Sequence, residues 1–238
     1  MMHENQKRSL LKTVTWRLLG TMVTTAVAYF LTKKIALSAV IGGSELLFKS
    51  FLYFFHERIW NSVKFGRVDI EPKVIWLTGL SGAGKTTIAL ELVEKLRAQG
   101  HKVEHLDGDT IRNIFPDTGF SLADRMQHIR KIGFLASKLE SHGITVVASF
   151  ISPQKEARSF VRQLCRQFIE VYVSTPLEVC EARDPKGLYA RARSGEIKNF
   201  TGIDSPYEAP HQPEIVVETS SQKVETSLQN IFDQIDFL

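Results

Sequence analysis

Residues 79–86 read Gly-Leu-Ser-Gly-Ala-Gly-Lys-Thr, which is a complete G-x-x-x-x-G-K-[ST] pattern. An apolar run at 74–77 precedes this stretch, and a segment with helical periodicity from Thr86 to Leu96 follows it. The sequence therefore predicts a strand, a tight loop and a helix in that order. Glycines in such a loop allow backbone N–H groups to point at phosphate oxygens, and the lysine adds a positive charge. The stretch predicts a site for the phosphates of a nucleotide.

Individual positions in this loop predict individual roles. Lys85 reaches the β- and γ-phosphates, and the Thr86 hydroxyl is a ligand of Mg²⁺, which makes ATP and Mg²⁺ the expected nucleotide and ion. The backbone of the other loop residues surrounds the phosphates. The predicted nucleotide-binding residues are Gly79, Leu80, Ser81, Gly82, Ala83, Gly84, Lys85 and Thr86, together with Arg183 at the start of a later polar segment.

The composition is that of a folded protein with a sizeable core, since 43% of the 238 residues are hydrophobic and 24% are charged. The net charge is only +4, and the basic residues are spread without the aromatic–basic pattern of RNA-binding domains. We therefore expect no nucleic-acid partner. Cys165 and Cys180 lie apart, and no Cys/His cluster has metal-ligand spacing, which predicts reduced thiols and no structural zinc.

From residue 73 onward, apolar runs alternate with helical segments, a pattern typical of an α/β fold with a parallel sheet and flanking helices. This predicts one P-loop kinase-type domain over residues 71–238, with Glu71-Pro72 as the linker from residues 1–70. The predicted strands are Val74–Thr78, Lys102–Leu106, Thr145–Phe150, Glu170–Ser174 and Glu214–Val217. The predicted helices are Lys85–Ala98, Leu122–Ser141, Gln154–Gln167, Pro176–Ala182, Leu188–Ser194 and Lys223–Ile235.

The second predicted strand ends in Asp107-Gly108-Asp109. Ligands of open α/β sheets bind outside the carboxyl ends of the strands, and the third predicted strand ends without an acid. Asp107 and Asp109 are therefore the carboxylates available to position water-bound Mg²⁺ and an acceptor hydroxyl group. A purely structural alternative is an Asp-Gly turn in which Asp109 caps a helix over Thr110–Ile114, and the two interpretations are compatible.

Three side chains that follow these acids are candidates for binding an acceptor. Arg112 and Arg125 are suited to bidentate contacts with phosphate or sulfate. Phe120 lies in a loop without an amphipathic pattern, where an aromatic ring can stack on a base. These residues predict an anionic, nucleotide-like acceptor.

Residues Arg183 to Glu208 are polar and rich in Gly and Pro, which is typical of a mobile lid rather than of a core element. A lid excludes water and brings cations to the phosphates when it closes. Within it, we expect Lys186 to meet the charge that develops on the transferred phosphoryl group, and Phe200 to cover a base.

The first 70 residues have a different character. Leu18 to Thr32 contains no charge, and Ile35 to Phe55 is largely apolar. The segment predicts a transmembrane hairpin with helices at about 10–32 and 35–56. A buried soluble hairpin and an amphipathic pair on the membrane surface are the alternatives.

Basic residues flank both ends of the predicted hairpin, and the positive-inside bias therefore predicts that both ends face the cytoplasm. The expected location is the cell inner membrane, with the bilayer as a partner and the kinase domain facing the cytoplasm. The flanking residues are Lys7, Arg8, Lys12 and Arg17 before the hairpin and Arg58, Lys64 and Arg67 after it.

Residues 7–67 resemble the two-helix membrane domain known as DUF2061, which carries no known chemistry. The resemblance rests on Arg8-Ser9-Leu10-Leu11-Lys12, Thr15-Trp16-Arg17, Glu45, Lys49 and His56-Glu57-Arg58-Ile59-Trp60-Asn61.

Residues 73–238 resemble adenylylsulfate (APS) kinase over nearly their whole length. The resemblance implies transfer of a phosphoryl group from ATP to adenosine 5′-phosphosulfate, giving ADP and 3′-phosphoadenosine 5′-phosphosulfate in sulfate activation. The matching blocks are Gly79–Thr86, Asp107–Asp109 with Arg112, Gly119-Phe120-Ser121 with Asp124-Arg125, Phe150-Ile151-Ser152-Pro153, Asp184–Tyr189, Gly195–Tyr207 and Pro213–Thr219.

The resemblance also implies residue roles. Phe120 and Phe200 would sandwich the acceptor adenine, Arg112 and Arg125 would hold its phosphosulfate, and Asp109 would orient or deprotonate the 3′-hydroxyl. Ser152 matches a serine described in the family as a phosphoserine intermediate, although direct in-line transfer needs no covalent enzyme step. The implied catalytic residues are Lys85, Asp109, Ser152 and Lys186, and the implied acceptor-binding residues are Asp107, Arg112, Phe120, Arg125, His128, Ile151, Lys186 and Phe200.

The chain departs from the family pattern in the acceptor region. His128 replaces a usual Asn, Gln154-Lys155 replaces a common Tyr-Arg, and Thr110 replaces a frequent Asn. A kinase for another nucleotide-linked acceptor, for example in surface-polysaccharide synthesis, is therefore an alternative. A non-catalytic nucleotide-binding scaffold at the membrane is a second. The oligomeric state also stays open, with a homodimer as one alternative.

Overall fold

The computed structural model describes residues 11–16, 18–20, 23, 27, 30, 38–63, 71–115, 118–222 and 224–235. The chain divides into two compact units, Met1–Ile70 and Glu71–Leu238. Several sequence predictions concern residues outside the described ranges. These are much of the first predicted helix at 10–32, residues 33–37 between the two predicted helices and at the start of the second, and the basic residues Lys7, Arg8, Arg17, Lys64 and Arg67.

The described part of the N-terminal unit is largely helical. Residues 11–16 and 18–20 are helical, and helix α1 spans Ser38–Ser62, past the predicted end at residue 56. Within the described ranges, no helix combines the length and the apolar character needed to cross a membrane. The transmembrane hairpin therefore remains a prediction.

Side chains from the two helical segments of this unit contact each other. The ring of Trp16 packs edge-on against Tyr53, with centroids 4.9 Å apart, and Thr15 Oγ1 lies 3.1 Å from His56 Nε2. A salt bridge of 3.5 Å joins Lys12 to Glu57, the residue that follows His56. The unit thus contains a pair of packed helical segments, with a mixed aromatic and polar contact near the C-terminal end of α1.

The second unit is built on a parallel five-stranded sheet with the order β2-β3-β1-β4-β5. This confirms the predicted α/β fold, and every predicted strand end lies within two residues of the observed one. The strands are β1 Val74–Thr78, β2 Val103–Asp107, β3 Thr145–Ser149, β4 Phe168–Val173 and β5 Ile215–Val217.

Helices connect and flank these strands. One of them, Gly108–Ile114, was expected only as the alternative of a capped helix over Thr110–Ile114, because its seven residues are too few to show a period. The helix predicted to reach Gln167 ends at Leu164. The helices are α2 Lys85–Ala98, α3 Gly108–Ile114, α4 Leu122–Ser141, α5 Lys155–Leu164, α6 Leu177–Arg183, α7 Leu188–Arg193 and α8 Val224–Ile235.

The central strand β1 is buried along its whole length and separates two apolar layers. Successive strand residues point to opposite faces, so Ile75 and Leu77 pack into the layer that contains residues of α2 and α8. Val74 and Trp76 pack into the layer that contains residues of α4 and α5. Helices on both faces explain why this strand reads as a continuous apolar run in the sequence.

Candidate active site

A cleft of about 970 Å³ lies at the edge of the sheet where β1, β2 and β3 end. Ligand crevices of open α/β sheets occur at this position. Among the predicted site residues, Gly79, Leu80 and Ala83 do not line the cleft. The others do: Ser81, Gly82, Gly84, Lys85, Thr86, Asp107, Asp109, Arg112, Phe120, Arg125, His128, Ile151, Ser152, Arg183, Lys186 and Phe200.

The loop after β1 depends on its glycines. Gly79 has φ of 154°, and a Cβ at this position would lie 2.6 Å from the carbonyl oxygen of Val173 on the neighbouring strand. Gly84 precedes α2 with φ of 98°. Any other residue would be strained at these positions, so the loop keeps its backbone N–H groups at the N-terminus of α2, where an anion is stabilised.

Lys85 folds back over this loop. Its ammonium group donates hydrogen bonds to the carbonyl oxygens of Gly79, at 3.0 Å, and Leu80, at 2.7 Å. The residue is only 8% exposed, and burial lowers the pKa of Lys85 to about 8. The ammonium therefore lies over the loop that would hold the phosphates, in a site where its charge is only partly solvated.

Asp107 is the polar centre of the cleft floor. Its Oδ1 accepts hydrogen bonds from the hydroxyls of Thr86 and Ser149, both at 3.1 Å, and its Oδ2 accepts from the backbone N–H groups of Asp109 and Thr110. Partial burial alone would raise the pKa of Asp107, but these hydrogen bonds outweigh it, with the Thr110 N–H first among them, and lower the pKa below its usual value.

This geometry corrects the expected helix cap. The N-cap residue of α3 is Asp107 rather than Asp109, because the Asp107 carboxylate satisfies the first free N–H groups of the helix. Asp109 is left exposed on the first turn. Its carboxylate forms an ion pair with the ammonium of Lys186, so the structure joins a predicted acid to a predicted cation of the polar segment 183–208.

The pairing of Thr86 with Asp107 is the feature that fits Mg²⁺. A hydroxyl oxygen and a carboxylate oxygen are hard ligands that this ion prefers, and Mg²⁺ usually completes its coordination with water and substrate phosphates. Among the described residues, no cluster of three or more His, Cys, Asp or Glu side chains could hold a metal ion. The donor set therefore suits an ion that is delivered together with a nucleotide.

The two predicted anion-binding arginines also line the cleft. The Arg112 guanidinium stacks over the ring of Phe120, 4.4 Å from its centroid. Arg125 donates to Thr201 Oγ1 at 2.6 Å and to the carbonyl oxygen of Asn199. Arg125 therefore holds the polar segment as well as lining the cleft, a contact that the sequence analysis did not anticipate.

The predicted aromatic platforms differ in exposure. Phe120 is 60% exposed, whereas Phe200 is partly buried and packs edge-on against Tyr189, with ring centroids 5.0 Å apart. Both rings line the cleft. Phe200 is thus held in place by the fold, and Phe120 is anchored chiefly by its contact with Arg112.

His128 is buried at the back of the cleft. It is 4% exposed, its ring packs edge-on near Phe150, and neither ring nitrogen has a hydrogen-bond partner among the described residues. Burial, assisted by the positive charges of Arg112 and Lys131, lowers the pKa of His128 to about 4. The side chain is therefore a neutral imidazole that offers one donor and one acceptor.

Ser152 is buried in the wall of the cleft. The residue is 1% exposed, and its hydroxyl accepts a hydrogen bond from the Trp76 indole and donates one to Thr78. Both hydrogen-bonding functions of the hydroxyl are thus engaged with the protein interior. The catalytic role of Ser152 remains a prediction from the resemblance, and in the structure its hydroxyl is a hydrogen-bonding group in the wall of the cleft.

Sequence reasoning missed three residues of the cleft region. Ser149 supplies a hydroxyl where the missing acid of β3 was sought. Thr219 holds Arg183 through its hydroxyl, at 3.0 Å, and its carbonyl, at 2.7 Å. Tyr207 lies behind the cleft wall and hydrogen-bonds Thr78. The positions of Ser149 and Thr219 at strand ends were available signals, whereas Tyr207 had none beyond its polar surroundings.

Comparison with known proteins agrees with this architecture. Residues 71–218 match the family model described as adenylylsulphate kinase, and residues 10–61 match the one described as predicted membrane protein (DUF2061). The adenylyl-sulfate kinase of a Picosynechococcus species is 51% identical over 162 residues, covering 68% of this chain and 92% of the relative. That of Gloeothece citriformis is 52% identical over 165 residues, covering 69% and 94%.

A solved structure of an APS kinase is also similar to this chain. The Mycobacterium tuberculosis APS kinase CysC, in complex with AMPPNP and APS, is 40% identical and superposes with a TM-score of 0.67, covering 70% of this chain and 98% of that one. The matched family model spans more than half of the chain, and the similarity extends over nearly the whole of the second unit. The chain therefore belongs to the adenylylsulphate kinase family.

Proposed function

We propose that the chain transfers the γ-phosphoryl group of ATP to the 3′-hydroxyl of adenosine 5′-phosphosulfate. The observation that carries this proposal is the single cleft that joins a complete phosphate loop, two acids and a pair of aromatic rings with arginines. Two relatives that are 51% and 52% identical to this chain are named adenylyl-sulfate kinase. The products are ADP and 3′-phosphoadenosine 5′-phosphosulfate.

The nucleotide half of the cleft would hold ATP. Backbone N–H groups of residues 79–86 surround the phosphates, and Lys85 turns from the loop carbonyls toward the β- and γ-phosphates. Thr86 and Asp107 would hold Mg²⁺, which neutralises charge on the phosphates when it is bound. Arg183, fixed by Thr219, lies at the same end of the cleft and would contact the nucleotide.

The acceptor half would hold the sulfonucleotide. Phe120 and Phe200 would stack on its adenine, and Arg112 and Arg125 would contact its phosphosulfate with their planar donor groups. Arg112 uses one terminal nitrogen for the carbonyls of residues 118 and 119, so its other N–H donors stay available. Ile151 and His128 complete the wall on this side.

The chemistry needs an aligned hydroxyl and a stabilised phosphoryl group. A bond forms between the acceptor 3′-oxygen and Pγ while the bond from Pγ to the β–γ bridging oxygen breaks, and ADP leaves. Asp109 would accept the proton of the 3′-hydroxyl, and Lys186, now its ion-pair partner, would follow the developing charge on the phosphoryl oxygens. Positioning and electrostatics carry most of such a transfer.

A coupled assay on the full-length chain tests this activity. With Mg²⁺ and ATP, ADP formation should depend on adenosine 5′-phosphosulfate and should be lost in the Lys85→Ala variant. Turnover only with other nucleotide-linked acceptors would replace the acceptor in the proposal. ATP binding without transfer to any acceptor would contradict the enzymatic function.

We further propose that residues 10–61 attach the enzyme to the cell inner membrane, with the kinase domain in the cytoplasm. The match to a membrane-protein family supports this location. So do the exposed rings of Phe48, Phe51 and Phe55 along α1, because large exposed apolar patches mark interaction surfaces. Trp16 and Tyr53 pack together in the same unit, and Trp and Tyr are enriched at membrane–water interfaces.

Tryptophan quenching tests the attachment. In vesicles with brominated acyl chains, the fluorescence of Trp16 and Trp60 should be quenched. A Trp16→Phe/Trp60→Phe variant keeps only Trp76, which is fully buried in the kinase domain, and should not be quenched. Equal quenching in both proteins, or recovery of the wild-type chain wholly in the soluble fraction, would contradict membrane attachment.

A further inference from the structure

A directed chain of hydrogen bonds lies behind the acceptor wall of the cleft. The indole Nε1 of Trp76 donates to Ser152 Oγ at 3.1 Å, and Ser152 Oγ donates to Thr78 Oγ1 at 2.9 Å. Thr78 Oγ1 in turn donates to the carbonyl oxygen of Ile151 at 2.9 Å. Each hydroxyl has one proton to give, so the chain runs in one direction and ends on Ile151.

Tyr207 enters this chain from the side. Its hydroxyl lies 3.0 Å from Thr78 Oγ1, whose single proton already goes to Ile151, so the tyrosine is the donor. Burial raises the pKa of the Tyr207 hydroxyl, which keeps that proton in place. The Thr78 oxygen thus accepts from Ser152 and Tyr207 and donates to Ile151, and every member of this buried group is satisfied.

The backbone that this chain supports is strained. Ser152 has φ of 37°, in the left-handed region that residues other than glycine rarely adopt. Its carbonyl oxygen accepts a hydrogen bond of 2.7 Å from Arg158, whose Nε is fixed by Glu170 at 2.8 Å. The turn at Ile151–Ser152 is therefore held in an unfavourable conformation by buried groups on both sides.

The same groups join this turn to the end of the polar segment 183–208. The backbone N–H of Glu208 donates to the carbonyl of Pro153 at 2.9 Å, and its carboxylate accepts from the N–H of Lys155 at 2.7 Å. Arg158 also donates to the Glu208 carbonyl at 2.7 Å. Tyr207 and Glu208 consequently form a fixed anchor where the predicted lid meets the acceptor wall.

We propose that Tyr207 is a positioning residue for the acceptor, acting through Thr78 and Ser152 to hold the Ile151–Ser152 turn against the cleft. The Ser152 hydroxyl belongs to this device and carries no phosphoryl group. The inference rests on the proposed function for the identity of the acceptor. Because Ile151 and Ser152 line the cleft beside His128, a loosened turn weakens acceptor binding before it affects ATP binding.

Steady-state kinetics of full-length Tyr207→Phe test the proposal. Loss of one buried hydrogen bond should raise KM for adenosine 5′-phosphosulfate by about three- to tenfold and leave KM for ATP nearly unchanged. The matched control is Tyr172→Phe, since this ring stacks on Tyr207 but its hydroxyl is outside the chain of hydrogen bonds. Equal changes in both KM values, or equal effects of the two variants, would overturn the positioning role.

Ser152→Ala tests the second part. We expect the same selective rise in acceptor KM, retained turnover, and no ³²P on wild-type enzyme denatured after incubation with γ-labelled ATP. Loss of turnover together with label on Ser152 would overturn the inference. The Ser152→Ala/Tyr207→Phe double variant should lose less than the product of the single effects, because both act on one chain. Independent, multiplying effects would contradict the coupling.

A readout without substrate separates this inference from the proposed function. In ¹⁵N-tryptophan NMR spectra, Tyr207→Phe should shift the indole N–H resonance of Trp76 and leave those of Trp16 and Trp60 unchanged. Ser152→Ala removes the acceptor of that indole and should shift it further. An unmoved Trp76 resonance would overturn the hydrogen-bond chain, even where the wild-type enzyme phosphorylates the sulfonucleotide. A shifted resonance in a chain that ignores the sulfonucleotide would contradict the proposed acceptor alone.

Discussion

The two halves of the cleft are built in different ways. The phosphate-binding part of the nucleotide half comes from one continuous stretch, residues 79–86, whose shape depends on local backbone geometry. The acceptor half is assembled from Arg112, Phe120 and His128 together with Phe200 from the polar segment 183–208. The comparison shows that the phosphate site is a local property of the chain, whereas the acceptor site exists only after the sheet has formed.

The largest effect is expected when the phosphate-binding lysine of the nucleotide half is removed. Lys85→Ala removes the ammonium that stabilises charge on the phosphates and should lower kcat/KM by about a thousandfold. The domain should remain folded, because only the carbonyl oxygens of Gly79 and Leu80 lose a hydrogen-bond donor and the apolar core is unchanged. Activity and thermal unfolding check both parts, with Lys102→Ala, an exposed lysine outside the cleft, as the control. Retained activity would refute the loop assignment.

The second-largest effect is expected at Asp109, where the nucleotide half and the acceptor half of the cleft meet. Asp109→Asn keeps the shape of the side chain but removes the carboxylate that accepts the hydroxyl proton, so kcat should fall by about a hundredfold. Its ion pair with Lys186 is lost as well. Glu104→Gln, an exposed carboxylate on the same strand as Asp107, should leave kcat unchanged. A kcat within threefold of wild type for Asp109→Asn would exclude a catalytic role.

A smaller effect is expected from the titration of Lys85 in the nucleotide half. The pKa of Lys85 is lowered to about 8, so the protonated fraction falls from about nine-tenths at pH 7 to about one-tenth at pH 9. The ammonium form binds phosphate, and the apparent Kd of an ATP analogue should therefore rise about tenfold across this interval. Calorimetric titration measures it. Lys85→Arg does not titrate in this range and should give a flat profile, and a flat wild-type profile would contradict the assignment.

The smallest effect tests the acceptor half. His128 is buried with both ring nitrogens unpaired among the described residues, which costs stability unless a ligand pairs with them. His128→Leu should raise acceptor KM by about three- to fivefold while the melting temperature stays equal or rises. His128→Asn, which keeps hydrogen-bonding capacity, should retain acceptor binding. A Leu variant that melts lower and binds the acceptor normally would show a packing role only.

The difference between local and long-range contacts also explains which features could be predicted from the sequence. The phosphate loop, the alternation of strands and helices and the pair of acids after β2 were all predicted from contiguous residues. Helix α3 was expected only as an alternative over Thr110–Ile114, since a seven-residue segment after Asp-Gly has too little periodicity to separate it from a turn. In the N-terminal unit, α1 continues past its predicted end because the polar residues near Glu57 lie in the helix together with the apolar ones.

The roles of the site residues were likewise only partly predictable from the sequence. Asp107 and Asp109 looked equivalent in the sequence. In the structure Asp107 is partly buried and accepts a hydrogen bond from Ser149 on the neighbouring strand, whereas Asp109 is exposed and pairs with Lys186. Ser152 looked available for chemistry, and the indole of Trp76 showed that its hydroxyl is engaged. In each case a partner far along the chain decided what the residue does.

The sequence by itself determined the phosphate loop, the α/β architecture and the family, because these depend on backbone conformations and apolar patterns within a few neighbouring residues. Only the tertiary structure decided which acid meets Thr86, which hydroxyls are buried, and how Tyr207 supports the wall of the acceptor site. Those contacts join residues far apart in sequence, and they form when strand order and helix packing bring the side chains within hydrogen-bonding distance.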